Sequence, residues 1–112
     1  MTQTTSKLPA SLVPLSLQVT QDAIMLYAAI TDDFNPIHCD PEFAARTPMA
    51  GVIAHGTMSM NLIWQSLSKT FDAATRAGAT LQIRFIKPVR LGNRVESGGA
   101  LDPEQPGRYK VW

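Results

Sequence analysis

The chain has 112 residues, the length of one small domain, and 45% of them are apolar, too many for a disordered tail and enough for a modest core. Ten basic residues against nine acidic ones leave a formal charge of +1 with no basic stripe, so the electrostatic footprint of nucleic-acid or membrane-surface binding is excluded. The single cysteine, Cys39, excludes an internal disulfide and a cysteine-rich zinc site and fits a cytoplasmic location, and no run reaches the roughly 18 apolar residues of a membrane span.

Residues 1–14 are expected to form a flexible or extended lead, without the continuous apolar stretch of a signal peptide. Leu15, Leu17 and Val19 then alternate with Ser16, Gln18 and Thr20, the period of a short strand. Thr20 is placed to cap a helix over residues 21–30, on which Ile24, Tyr27 and Ala28 share one face. That helix should stop near Thr31 or Asp32, and Asn35, preceding a proline, is pushed away from helical geometry. Asp40-Pro41-Glu42 reads as the start of a short helix, with Asp40 as cap, Pro41 at the first helical position and Glu42 at the positive end. Thr47-Pro48 ends it.

The run from Val52 to Trp64 is too long for one strand. It predicts a helix from about Ala54 or His55 to about Phe71, buried almost all round in its first turns and therefore wrapped by a curved sheet. Leu81, Ile83 and Phe85 alternate with Gln82, Arg84 and Ile86 as a strand that Pro88 interrupts. A turn or bulge follows at Leu91–Arg94, then a strand from Val95 to Leu101 loosened by Gly98 and Gly99. Residues 102–107 are rich in turn formers, and Tyr109 and Val111 open a further strand whose hairpin partner is missing or supplied elsewhere. The order predicts a single α+β domain over residues 1–112, with an antiparallel sheet around one long helix. A core of this size is commonly reinforced by pairing with a second copy.

Chemistry concentrates between Asp33 and Gly56. Asn35-Pro36 fixes a bend between Asp33 and His38, so the two side chains can converge on one water as an acid/base pair. If the long helix starts at His55-Gly56, its free N–H groups and positive dipole end lie there, and the Gly56 N–H can bind a developing oxyanion. An acid/base pair beside an oxyanion donor points to proton chemistry next to a carbonyl. Taken singly, Asp33 as a turn former and His38 or His55 as a structural histidine are the plainer readings. His38 and His55 are far apart in sequence with no compact ligand motif, so no metal is expected. Cys39 reads as an inert small residue, Met49, Met58 and Met60 as packing or tunnel lining, and Ser59 lacks a nucleophile elbow.

Residues 27–44, YAAITDDFNPIHCDPEFA, resemble the hydratase signature of the MaoC-like (R)-specific enoyl-CoA hydratase/dehydratase family, an acid, any residue, Asn-Pro, an aliphatic, His, any residue, Asp-Pro and Phe-Ala. The following GVIAHGTMSM resembles that family's helix start. The resemblance implies a hot-dog fold, a dimer with joined sheets, and an acyl thioester substrate in which CoA or acyl carrier protein enters as part of the substrate, with no separate cofactor. It implies reversible syn addition of water to a trans-2-enoyl thioester to give the (R)-3-hydroxyacyl product. Asp33 and His38 match the catalytic pair, Gly56 the oxyanion donor and Asn35 an orienting position; His55 and Trp64 are further substrate-binding candidates. Two positions depart from the pattern: Asp32 stands where glycine is common, and Trp64 where some members carry a small serine. The alternatives are a non-catalytic acyl-thioester-binding subunit of a larger hot-dog assembly and a hot-dog thioesterase. The full Asp-x-Asn-Pro-x-His pattern argues against the thioesterase.

Overall fold

The structure is a computed structural model that describes residues 8–112. Of the expected N-terminal lead, residues 1–7 lie outside the described residues. Ser11 already bridges to Ala100, and strand β1 spans Leu15–Gln18. Helix α1 covers Gln21–Thr31, and the Thr20 hydroxyl accepts from the Ala23 N–H at 3.0 Å. This cap satisfies one of the N–H groups that every helix start leaves without an intrahelical acceptor. Ile24 and Ala28 are the buried residues of α1, and Tyr27 packs at the edge of the same core.

Asp32 ends α1 at φ 55° and ψ 38°, and its N–H returns to the Ala28 carbonyl. This is the left-handed helix end at which glycine is the default because it has no Cβ to clash. The departure at Asp32 therefore falls on a position where glycine serves the backbone, and aspartate is among the few residues that tolerate it.

Two one-turn helices follow. In α2, Pro36–Cys39, Asn35 caps the Ile37 N–H at 3.1 Å. In α3, Pro41–Ala45, the Asp40 carboxylate accepts from Glu42 and Phe43, as the Asp-Pro-Glu pattern predicts. Helix α4 runs Gly56–Thr70, within a residue or two of the expected span, and α5 covers Ala73–Arg76.

The sheet is smaller than expected. Strands β2, Arg94–Ser97, and β3, Gly99–Leu101, form one extended stretch broken at Gly98. β2 pairs antiparallel with β1, and β3 with β4, Tyr109–Val111. Gly98 exchanges both backbone hydrogen bonds with Trp112, while the next residue, Gly99, accepts from the Leu12 N–H. Successive backbone groups of a strand point to opposite edges, so the 94–101 stretch is central, with residues 11–18 on one side and 109–112 on the other. Gly98 also has a steric reason: a Cβ there would lie 2.9 Å from the Trp112 indole nitrogen.

The strand expected at Leu81–Ile86 does not form a ladder. Among the described residues, 80–88 make no backbone hydrogen bond that would pair them, and the nearest pairing is the bridge between Ile53 and Arg90. The alternation there is real, but a strand is defined by its partner, and none is at hand among the described residues. The same absence corrects the expectation that α4 is buried almost all round. Its buried residues are Met58, Leu62, Ile63 and Ser66, a single face turned toward β1 and β2, while Met60 and Trp64 face the clefts beside residues 80–85.

The core joins Val19, Ile24, Ala44, Val52, Ala54 and Met58, with Tyr27, Ile37 and Val89 packed against it. It lies beneath the loops that carry Asp33, His38 and His55, so burial of apolar area fixes the floor of that region. A buried polar clamp pins α4 to the sheet. The Ser97 hydroxyl donates to the Leu62 carbonyl at 3.1 Å, so the Ser66 hydroxyl is the donor in the 2.5 Å contact between the two serines. Among the described residues, no helix is long and apolar enough to cross a membrane.

Candidate active site

The Asp33 loop begins where α1 ends. The Asp33 N–H donates to the Ala28 carbonyl, and one carboxylate oxygen, Oδ1, accepts from the Asn35 N–H at 3.2 Å. Asp33 is thus a turn former, as its plainer reading had it, with Oδ2 left facing the site. Its side chain is half exposed. Asn35 joins the two halves of the motif: its N–H holds Asp33 and its side-chain oxygen starts α2.

His38, on the last turn of α2, is half-buried, and its Nδ1 lies 2.6 Å from the Ile53 carbonyl oxygen. A carbonyl only accepts, so the neutral ring carries its proton on Nδ1 and leaves the Nε2 lone pair for a proton acceptor. The same logic applies to His55, whose Nε2 lies 2.9 Å from the Asp33 carbonyl oxygen and therefore bears the proton. The fold brings the two histidines together: their rings stack with centroids 4.0 Å apart and planes 29° apart. Tyr27 also packs against His55, with ring centroids 5.0 Å apart and planes tilted by 58°.

Asp33, His38 and His55 each present one ligand-type atom within 4.8 Å of the others. A carboxylate and two imidazoles are also a donor set suited to a zinc-like cation. One nitrogen of each ring is already occupied by a carbonyl.

Gly56 follows directly from His55 as the first residue of α4, and it is exposed although His55 is buried. His55 makes no side-chain cap bond, and among the described residues the Gly56 N–H has no backbone acceptor. A free N–H at the positive end of a four-turn helix is a donor for a developing negative charge. Glycine is needed here for space: a Cβ would approach the Phe85 ring to 3.2 Å.

Several residues of the site were not singled out from the sequence. The Tyr27 hydroxyl donates to Thr57 Oγ1 at 2.7 Å and accepts from Asn61 Nδ2 at 3.0 Å, tying α1 to the first turns of α4. A tyrosine on the core-facing stripe of α1 was a signal for this, since a buried hydroxyl needs a partner. Phe85 and the carbonyl of Ile53 gave no such signal.

Phe85 also lines a small cleft of about 200 Å³ with Ser59, Met60, Ile63 and Val111. Trp64 does not stand beside Asp33 and His38. It lines a larger cleft of about 660 Å³ farther along α4, with Leu67, Phe71 and Tyr109. Burial pushes the Tyr109 phenol above its ordinary pKa of 10.0, and its protonated hydroxyl donates to the Pro9 carbonyl.

The family model described as a MaoC like domain matches residues 7–105. The chain is 35% identical over 82 residues to a 3-hydroxybutyryl-CoA dehydratase of Methylorubrum extorquens, a match covering 73% of this chain and 52% of that protein. It is 32% identical over 72 residues to an (R)-specific enoyl-CoA hydratase of Aeromonas caviae, covering 64% and 54%. The chain thus spans about half the length of the curated relatives it matches. Among solved structures, the (R)-hydratase of A. caviae superposes with a TM-score of 0.74 at 22% identity, over 98% of this chain and 87% of that one. The fold is accordingly that of the MaoC-like hot-dog proteins, in the α+β class.

Proposed function

We propose that this chain, which belongs to the MaoC-like domain family, catalyses the reversible hydration of a trans-2-enoyl thioester to the (R)-3-hydroxyacyl thioester. The observation that carries this reading is the convergence of Asp33 and His38 beside the free N–H of Gly56. His38 has an open Nε2, and Asp33 has an open Oδ2, so both accept. A water donating one proton to each presents an oxygen lone pair to C3 of the enoyl group. The C3–O bond forms, His38 takes the proton, and the C2=C3 π electrons move toward the thioester oxygen. The Gly56 N–H stabilises that enolate charge. His38 then returns the proton to C2. Because one group takes and returns it on the same face, the addition is syn. Asp33 stabilises the intermediate imidazolium.

The acyl group would run toward the small cleft that Phe85 borders, since the Phe85 ring also lies against Gly56. CoA or acyl carrier protein would enter as part of the substrate, with no separate cofactor. The relatives' names, a 3-hydroxybutyryl-CoA dehydratase and an (R)-specific enoyl-CoA hydratase, support the same chemistry. A dimer or larger hot-dog assembly, with a sheet wrapping the long helix, is supported by the unpaired 80–88 segment and its exposed Phe85 and Ile86. The lone cysteine supports a cytoplasmic setting. Loss of enoyl absorbance on adding the chain to crotonyl-CoA tests the proposal. Thioester binding without turnover of any enoyl-CoA would replace it with a non-catalytic binding subunit, and release of free CoA with a thioesterase.

A further inference from the structure

His55 is the most buried ionisable side chain of the site, at 3% exposure, and the hydration mechanism gives it no proton to move. It nevertheless touches both members of the acid/base pair. Its Nε2–H holds the Asp33 carbonyl at 2.9 Å, and its ring stacks on His38 with centroids 4.0 Å apart. Among the described residues, its Nδ1 is buried with no hydrogen-bond partner. A buried nitrogen left unpaired costs free energy, so a histidine is expected there only if its other contacts offset that cost.

We infer that His55 is a positioning residue that sets the separation of Asp33 and His38 through two distinct contacts, a donor to the Asp33 backbone and a flat face against the His38 ring. The inference rests on the hydratase reading of that pair. Without His55, the exposed Asp33 loop keeps its ties to Ala28 and Asn35, and among the described residues the His38 imidazole keeps only its hydrogen bond to the Ile53 carbonyl. Tyr27, anchored by Thr57 and Asn61, packs against the His55 ring at a tilt of 58° and limits its movement. The role is separate from substrate contact, because Gly56 and Thr57, the next two residues, are exposed where His55 is not.

Three substitutions separate the two contacts. His55→Gln keeps a donor near the Nε2 position and loses the ring, His55→Phe keeps the ring and loses the donor, and His55→Ala loses both. With crotonyl-CoA, kcat is expected to fall about 100-fold in His55→Ala, the size of effect that a misplacement of about 1 Å produces. His55→Gln and His55→Phe should each recover part of that loss, and KM should stay within about twofold throughout, as expected when positioning rather than binding is lost. Amide exchange at Asn35, whose N–H reports the Asp33 loop, should quicken in His55→Phe and stay near the parent rate in His55→Gln. The ¹⁵N spectrum of the parent should show the His55 proton on Nε2.

A rise in KM with unchanged kcat, or equal kcat in all three variants, would overturn the inference, as would a His55 proton on Nδ1. Lower melting temperatures with parental kcat would reduce His55 to packing and overturn it too. If the parent itself does not hydrate crotonyl-CoA, the hydratase reading fails. The Asn35 exchange and the tautomer then still decide whether His55 holds the loop.

Discussion

Replacing Gly56 by proline removes one hydrogen atom's worth of function while respecting the backbone. Gly56 is the first residue of α4, the position where proline is best tolerated because its missing N–H has no helical acceptor. His55 before it sits at φ −60° and ψ 135°, the extended geometry that a following proline demands. Alanine shares the Cβ part of the steric change, which meets the Phe85 ring at 3.2 Å, while the proline Cδ takes the place of the N–H hydrogen itself. That ring is 60% exposed and free to swing by a few tenths of an ångström. Gly56→Ala is therefore the control, adding the Cβ and keeping the N–H. Neither change should alter stability by more than about 1 kcal/mol, since the preference of a helix for alanine over glycine offsets the contact. If Gly56 is the oxyanion donor, Gly56→Pro should lose a further 10²–10³ in kcat relative to Gly56→Ala, about 2.7–4 kcal/mol of transition-state stabilisation. The neighbouring Thr57 N–H leaves a residue of activity. Steady-state hydration of crotonyl-CoA by both variants, alongside their thermal melts, gives the comparison. Equal kcat in the two folded variants would refute the assignment of the oxyanion to Gly56.

Two predictions concern stability. Asp32→Gly relieves a left-handed residue of roughly 1–2 kcal/mol of strain against about 0.5–1 kcal/mol of added chain entropy, so the melting temperature should rise by a few degrees; a fall would show that the Asp32 side chain holds the loop. Ser66→Ala and Ser97→Ala should each cost about 1–2 kcal/mol in urea unfolding. The double variant should cost less than their sum by about 1 kcal/mol, because removing both partners leaves no orphaned hydroxyl. Strict additivity would mean that the two hydroxyls do not act as a unit.

Local physics in the chain was legible where it is short-range. Thr20 and Asp40 cap the helices they precede because a side-chain oxygen reaches an N–H two or three residues on; the short helix α2 that Asn35 caps was not expected. The start of α4 at Gly56 was within reach of the same reasoning. The Asp33–His38 convergence was also readable, since Asn35-Pro36 bends the few residues between them. The stacking of His38 on His55 was not, because it depends on the Ile53 carbonyl arriving from a separate segment and on Tyr27 from another helix. Nor was the placement of Trp64: spacing along α4 puts it two turns from Gly56, but only the packing of residues 78–82 and β4 shows which cleft it enters. Residues 81–86 carry the alternation of a strand without its ladder, because periodicity reports which side chains share a face and says nothing of where a partner edge lies.

The claim that this chain is an enoyl-thioester hydratase using Asp33 and His38 meets its most direct test in one measurement: crotonyl-CoA turnover by the parent, Asp33→Asn and His38→Ala, with chiral analysis of the product. The account predicts (R)-3-hydroxybutyryl-CoA from the parent and losses of about 10²–10⁴ in kcat for each variant, the range of general acid–base contributions. Parental turnover in either variant, or an (S) product from the parent, would contradict it.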